Sequence, residues 1–175
     1  MAELERNQVI EYLRDKRPLR DLDLSEMDLR GIDFRRANME GCNLECSNLS
    51  GTHLEGANLK RCNMREANLS SAFLDAADLR GATLRKADLS DAELPEAVLS
   101  NADLALADCT RANMAGAQMV RTNLQETRLV EADMRRANLM EADMTGAHLW
   151  KAMGQGAVMT GVKGLEHLMQ PRRNP

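Results

Sequence analysis

Four cysteines and three histidines are the residues of this chain best suited to nucleophilic, redox or metal chemistry. Their spacing argues against all three. Cys42, Cys46, Cys62 and Cys109 make no CxxC pair, and no Cys/His spacing suits zinc. His53, His148 and His167 are isolated from one another and from any Ser-His-Asp order. No GxSxG, P-loop or GxGxxG is present. The carboxylates are many, but they recur at a fixed interval, as a solvated ladder does. No residue is therefore assigned as catalytic, cofactor-binding or metal-ligating. No enzyme activity, cofactor or small-molecule substrate is expected, which leaves binding.

The composition says what must hold such a surface up. The chain has 175 residues, 43% apolar but only 2% aromatic, with two Phe, one Trp and one Tyr. Its core must be Leu, Met and Ala. The length suits one domain. The net charge of -4 argues against a general nucleic-acid binder. No run of about 18 apolar residues exists, so no membrane span is expected. The N-terminal stretch lacks the basic-then-apolar layout of a secretory signal. A cytoplasmic location with reduced thiols is the expectation.

Internal repetition fixes the fold. Every fifth residue from Leu24 to Leu149 makes 26 positions: 18 Leu, six Met (Met39, Met64, Met114, Met119, Met134, Met144), Phe34 and Cys109. Two residues earlier sits a small side chain, Ala in 17 cases. One residue earlier sits Asp or Asn in 18 cases. A period of five fits neither a helix nor a strand. It makes sense if the chain turns a corner every five residues, aiming the centre and the small residue inward. Four sides close a square coil of 20 residues. At about 4.8 Å per coil, the rod would be roughly 31 Å long. Asp, Asn and Gly suit the corners because they tolerate turn conformations.

Ala57-Asn58-Leu59, Ala67-Asn68-Leu69, Ala87-Asp88-Leu89 and Ala137-Asn138-Leu139 resemble the A(D/N)LXX motif of pentapeptide-repeat proteins. The resemblance covers residues 22 to about 151. It implies an all-β fold, a right-handed quadrilateral parallel β-helix. Eight positions depart from the motif: His53, Phe73, Thr83, Glu93, Val98, Gln118, Arg128 and His148. They read as scattered, affecting surface detail and not the fold.

A stack of coils needs caps at both ends. Residues 2–16 are expected to form an amphipathic helix, with Leu4, Val9, Ile10 and Leu13 on one side and Pro18 as the stop. Leu22, Met27 and Ile32 would fill the space beneath it. The expected division is an N-terminal capping helix at 1–18, the β-helix at 19–153, and a C-terminal cap and tail at 154–175. A short helix is expected at 165–169, ended by Pro171. The core Met residues read as replacements for Leu. Cys42 and Cys62, one coil apart, would stack inward at a spacing that permits a disulfide, although a reducing cytosol disfavours one.

The outward positions carry the functional signal. Ser50, Ser70, Ser90 and Thr110 form a hydroxyl ladder, read as structural. Glu55, Asp75, Asp88, Asp91, Glu93 and Glu96 gather on two sides as a candidate acidic face. Lys60, Arg61, Arg65, Arg80, Arg85 and Lys86 gather on the other two as a candidate basic face. Leu106, Val120, Val130, Met140 and Trp150 are apolar outward residues late in the rod, a candidate homodimer surface at the C-terminal end.

The first functional reading is a rigid, non-catalytic protein-interaction module with an unknown protein partner. An alternative comes from the resemblance: some family members mimic DNA, bind DNA gyrase and confer quinolone resistance. Duplex DNA carries one charge per about 1.7 Å, so the rod would need roughly 18 negative charges. The net charge of -4 and the Leu/Met centres disfavour it. A further alternative is nucleic-acid or anionic-surface binding through the basic face. The missing aromatics and the net charge weigh against that reading.

Overall fold

The computed structural model describes residues 5–165. One helix, α1 (Arg6–Arg14), precedes a coil that pairs every twentieth residue in parallel, from Asp23 with Asn43 to Asp143 with Lys163. These pairs define four walls. The first runs through Asn43, Asn63 and Thr83, and the second through Asn48, Asn68 and Asp88. The third runs through Asp33, His53, Phe73 and Glu93, and the fourth through Asn58, Asp78 and Val98. The centres point to the axis: Leu24, Phe34, Leu69 and Cys109 are all buried. Leu19, one step before the first expected centre, is buried as well. The pairing runs beyond the expected end at 153, as far as Lys163. Gly154 and Met159 hold the centre places there, and Met159 is exposed.

One repeat shows why five residues suffice. The Leu69 N–H donates to the Asp88 carbonyl of the next coil at 2.7 Å, and the Ser71 N–H to that of Ser90 at 2.9 Å. The Phe73 N–H donates back to Thr52 at 2.9 Å, and the Ala72 N–H closes the corner on Leu69 at 3.0 Å. The fifth amide, on Ser70, donates to Asn68 Oδ1 at 3.0 Å. All 18 Asp and Asn residues at this position take the amide two residues on in the same way. The Asp/Asn preference thus belongs to the wall before the corner, where its side chain satisfies an amide that no carbonyl reaches.

The corners themselves have positive φ. Twenty-nine consecutive corner residues, Asp21 through Gly161, adopt the left-handed conformation, and only nine are Gly. The left-handed residue is the second of two between bonded ends, as in a type II turn. Polar residues at inward small positions are satisfied too. The buried Thr52 and Thr122 hydroxyls donate to the Leu49 and Leu99 carbonyls at 2.6 and 2.9 Å. Cys42 and Cys62 are buried free thiols, bonded to the Leu19 and Met39 carbonyls at 2.7 and 3.0 Å. Burial pushes them up to about 11 and about 12, so neither supplies a ready thiolate.

The N-terminal cap is shorter than the expected 2–16. Glu5 is the N-cap, and its N–H donates to Gln8 Oε1 at 2.7 Å. The helix stops before Pro18 is reached. Lys16 turns left-handed, its N–H donates to Leu13, and the Arg17 N–H donates to Tyr12, a Schellman closure. Val9 is buried, with Leu13, Leu22, Met27 and Ile32 packed around it. Ile10, expected on the buried side, is 43% exposed. Leu4 and most of the expected C-terminal helix at 165–169 lie outside the described residues.

Two predictions follow from the corner and wall geometry. Gly51→Ala meets open space, so it should cost only the left-handed strain of about 1 kcal/mol. That lowers the unfolding midpoint by about 2–4 °C. A Cβ at Gly164 would lie 2.4 Å from the Thr145 backbone nitrogen, so Gly164→Ala should cost clearly more in the same melt. Second, the Arg35 side chain and backbone N–H hold the Asp33 carboxyl at about 2, and the Arg30 side chain holds Asp28 far below its usual range. A depressed folded pKa gives stability that is complete above the unfolded value near 4 and is lost as pH falls toward 2. Melting temperature should therefore fall across that window. Asp33→Asn, which keeps the amide acceptor, should flatten its share of the slope.

Candidate functional site

The walls allow the charged candidates to be placed. Lys60, Arg61, Arg65, Arg80, Arg85 and Lys86 lie on the fourth and first walls and their corners. All six meet an acid. Lys60 and Arg80 share Asp78, at 3.2 and 2.6 Å, and Arg61 pairs with Glu40. Arg65 reaches Glu45 at 3.5 Å, Arg85 reaches Asp103 at 3.4 Å, and Lys86 reaches Glu66 at 3.0 Å. Arg80 bonds Asp78 within its own coil, and the other five side chains fold along the rod, placing opposite charges one coil apart. Exposed pairs of this kind add little stability. They do cancel the field that a basic face would project.

The second and third walls differ. Asp91 is held by Arg111 at 2.5 Å, and Glu55 by His53 at 2.9 Å. Asp75, Asp88, Glu93 and Glu96 have no Lys or Arg partner among the described residues. Asp88 accepts the Ser90 amide, and Glu93 accepts from Asn113 Nδ2 at 2.6 Å. For Glu55, burial is the largest single influence and raises the carboxyl, but the His53 bond, its own backbone N–H and the Arg35 charge together outweigh it, so the net direction is down. Its Oε2 is buried without a hydrogen-bond partner. The acidic face keeps four of its six carboxylates uncancelled, where the basic face keeps none of its bases so.

Seven of the eight departures from the Asp/Asn position are not scattered, and Thr83 alone stands between Asn63 and Asp103 on the first wall. His53, Phe73 and Glu93 follow one another down the third wall. Val98 and Gln118 stack on the fourth, and Arg128 and His148 on the second. His53 lies on Phe73 with ring centroids 4.9 Å apart and an interplanar angle of 10°, and Phe73 is 38% exposed. This aromatic step inside the acidic face was hidden in the sequence by reading departures one at a time. Reading them at a spacing of 20 would have found it.

The apolar candidates divide among the walls. Val120 and Met140 flank the fourth wall, Val130 and Trp150 the second, and Leu106 occupies a corner of the first. They share no single side. What they share is the late part of the rod, where Trp150, Met153, Val158 and Met159 are also exposed. Lys151 Nζ sits 4.1 Å from the centre of the Trp150 ring. Among the described residues, no group of three or more His, Cys, Asp and Glu could hold a metal ion, and no helix is long and apolar enough to cross a membrane.

Comparison with known proteins agrees with the repeat. No curated protein matches the chain. Among solved structures, it is similar to HetL from the cyanobacterium Nostoc sp. strain PCC 7120, involved in heterocyst differentiation regulation. The identity is 23%, covering 93% of this chain and 97% of that one, with a TM-score of 0.29. It is also similar to the plasmid-mediated fluoroquinolone resistance protein QnrB1, at 16% identity, 89% and 86% coverage and a TM-score of 0.43. A third is Rfr23 from the cyanobacterium Cyanothece 51142, at 20% identity, 91% and 99% coverage and a TM-score of 0.30. The assignment rests on the repeat match and not on these superpositions. The family described as pentapeptide repeats matches in eight copies, over residues 19–56, 47–85, 73–108, 82–119 and 117–161. With its twenty-residue parallel coil and its five-residue register, the chain belongs to the pentapeptide-repeat family, whose fold is the right-handed β-helix.

Proposed function

We propose that this chain is a non-catalytic interaction rod that binds a basic protein segment through its second and third walls. The supporting observation is the contrast between the two faces. All six bases of the basic face have an acid partner, whereas Asp75, Asp88, Glu93 and Glu96 meet no Lys or Arg among the described residues. Charge that is not cancelled within the rod steers and orients an opposite partner. A rigid backbone, bonded at every coil, presents it with little ordering cost on binding.

Gyrase binding by DNA mimicry is weaker. A phosphate mimic needs negative charge along its whole length and on both strands' paths. Here two of the four walls carry a neutral lattice of paired charges. Direct binding of nucleic acid or an anionic surface by the basic face is disfavoured by the same pairing. Self-association fits best at the C-terminal end of the rod. The apolar candidates there face different sides, so no one wall offers a continuous patch.

Each reading has an outcome attached. Hexalysine, measured by calorimetry at low salt, should bind the wild type, and Asp75→Lys with Glu96→Lys should weaken it about tenfold. Arg65→Glu with Arg85→Glu should change it little; equal effects of the two reversals would remove the face assignment. Purified protein should leave gyrase supercoiling unaffected at micromolar levels. Light scattering should show a dimer that Trp150→Glu converts to a monomer, and a monomer in both would end the self-association reading.

A further inference from the structure

A cavity of about 290 Å³ opens between α1 and the top of the third wall. It is lined by Arg6, Ile10, Leu13 and Arg14 of the helix and by Gly31, Ile32 and Asp33 of the coil. Its floor is apolar: Ile32 is buried, Leu13 half-buried and Ile10 43% exposed. Among the described residues, Ile10 is not packed against the core. Arg6 fixes the helix here, with its guanidinium donating to the Asp28 and Arg30 carbonyls at 2.5 and 2.6 Å. The mouth is open at Gly31, where an added Cβ would meet nothing within 4 Å.

The cavity stands at the head of the wall that carries the acidic face, with Arg6 and Arg14 on its rim and Asp33 neutralised there by Arg35 at 2.5 Å. Asp33, on its rim, pairs with His53, His53 with Phe73, and Phe73 with Glu93, one coil at a time down the same wall. These last three residues are the ones that give up the amide-capping Asp or Asn. At about 4.8 Å per coil, Phe73 lies about 10 Å and Glu93 about 14 Å from the rim. An extended peptide advances about 3.3 Å per residue. Three to five residues therefore separate a side chain in the cavity from one at Asp75, Glu93 or Glu96.

We propose that the cavity is the anchor pocket of the partner site. It takes one branched or aromatic side chain of an extended segment that crosses the His53–Phe73 step. That segment places Lys or Arg against Asp75, Glu93 and Glu96, three to five residues along. The inference rests on the acidic-face reading and adds the partner's pattern to it. Burying a side chain in an apolar pocket supplies affinity. The carboxylates supply orientation, and Arg is favoured over Lys where two oxygens can be reached together.

The test is selection of a phage-displayed library of random 12-residue peptides on the whole chain. Sequences with an apolar residue three to five positions from Lys or Arg should be enriched. The best peptide, resynthesised with a fluorophore, should bind Ile10→Lys about tenfold more weakly by anisotropy. Ile10→Ser should also weaken it, and hexalysine binding should stay unchanged in both variants. Ile10 is exposed, and unchanged melting temperatures should verify both folds. Enriched sequences without the apolar position, or indifference to both Ile10 variants, would overturn the pocket while leaving the acidic face standing. Indifference of hexalysine to Asp75→Lys with Glu96→Lys would overturn the face itself. Peptide binding that appears only after residues 1–4 are removed would make the chain's own N-terminus the occupant. A change of oligomeric state in Ile10→Lys would make it a second copy. Either result overturns the proposal.

Discussion

Everything in this rod depends on satisfying five backbone amides in five residues while the chain turns a corner. Carbonyls reach four of them: two in the next coil, one in the previous coil and one across the corner. The fifth is out of their reach and is taken by the Asp or Asn side chain of the preceding wall. An amide left without a partner costs free energy comparable to a lost hydrogen bond. Repeated at every corner, that cost would be hard to offset in a core limited to Leu, Met and Ala. The motif residue that looks like surface decoration is thus part of the backbone's hydrogen bonding.

The exceptions can be read in the same terms. At one corner the residue after the centre is Pro95, which has no N–H to satisfy. The position that would have capped it is Glu93, free to point a longer carboxylate outward and accept from Asn113. At His53 the ring binds Glu55 instead of capping its amide. Where capping is given up, the side chain becomes available for something else. Three such positions in a row on the third wall are therefore more informative than three scattered ones, because neighbours in a stack share one surface.

The architecture was legible in the sequence because it depends on spacing alone. A register unbroken from Leu24 to Leu149 dictates which residues face the axis and which wall each outward residue belongs to. The role of Asp and Asn was half legible: their turn chemistry was apparent, but their place before the corner needed hydrogen-bond geometry. The neutralised basic face was not legible. Whether Arg65 points away from the rod or back to Glu45 is a matter of side-chain conformation, which periodicity does not encode. Ile10 was misplaced for a different reason. Ile10 lies about 100° around the helix from Val9, the residue that is buried, and so falls outside the narrow stripe that meets the coil.

The corners explain why such a scaffold suits recognition. Twenty of them place a non-glycine residue in the left-handed region, each against a steric preference of order 1 kcal/mol. Glycine would remove that strain at every one. Yet glycine has no side chain, and the corner is one of the few places on the coil from which a side chain can project freely. Lys86, Asp91, Glu96 and Arg111 all stand on strained corners. The strain is spread over many repeats whose hydrogen bonds hold them in place, so no single corner decides stability. The chain therefore carries a small local penalty wherever its surface holds a charge at a corner. It can change those charges one at a time without disturbing the buried Leu and Ala columns. A rod built this way separates folding from binding: the axis-facing residues keep the coil, and the wall and corner residues are free to meet a partner.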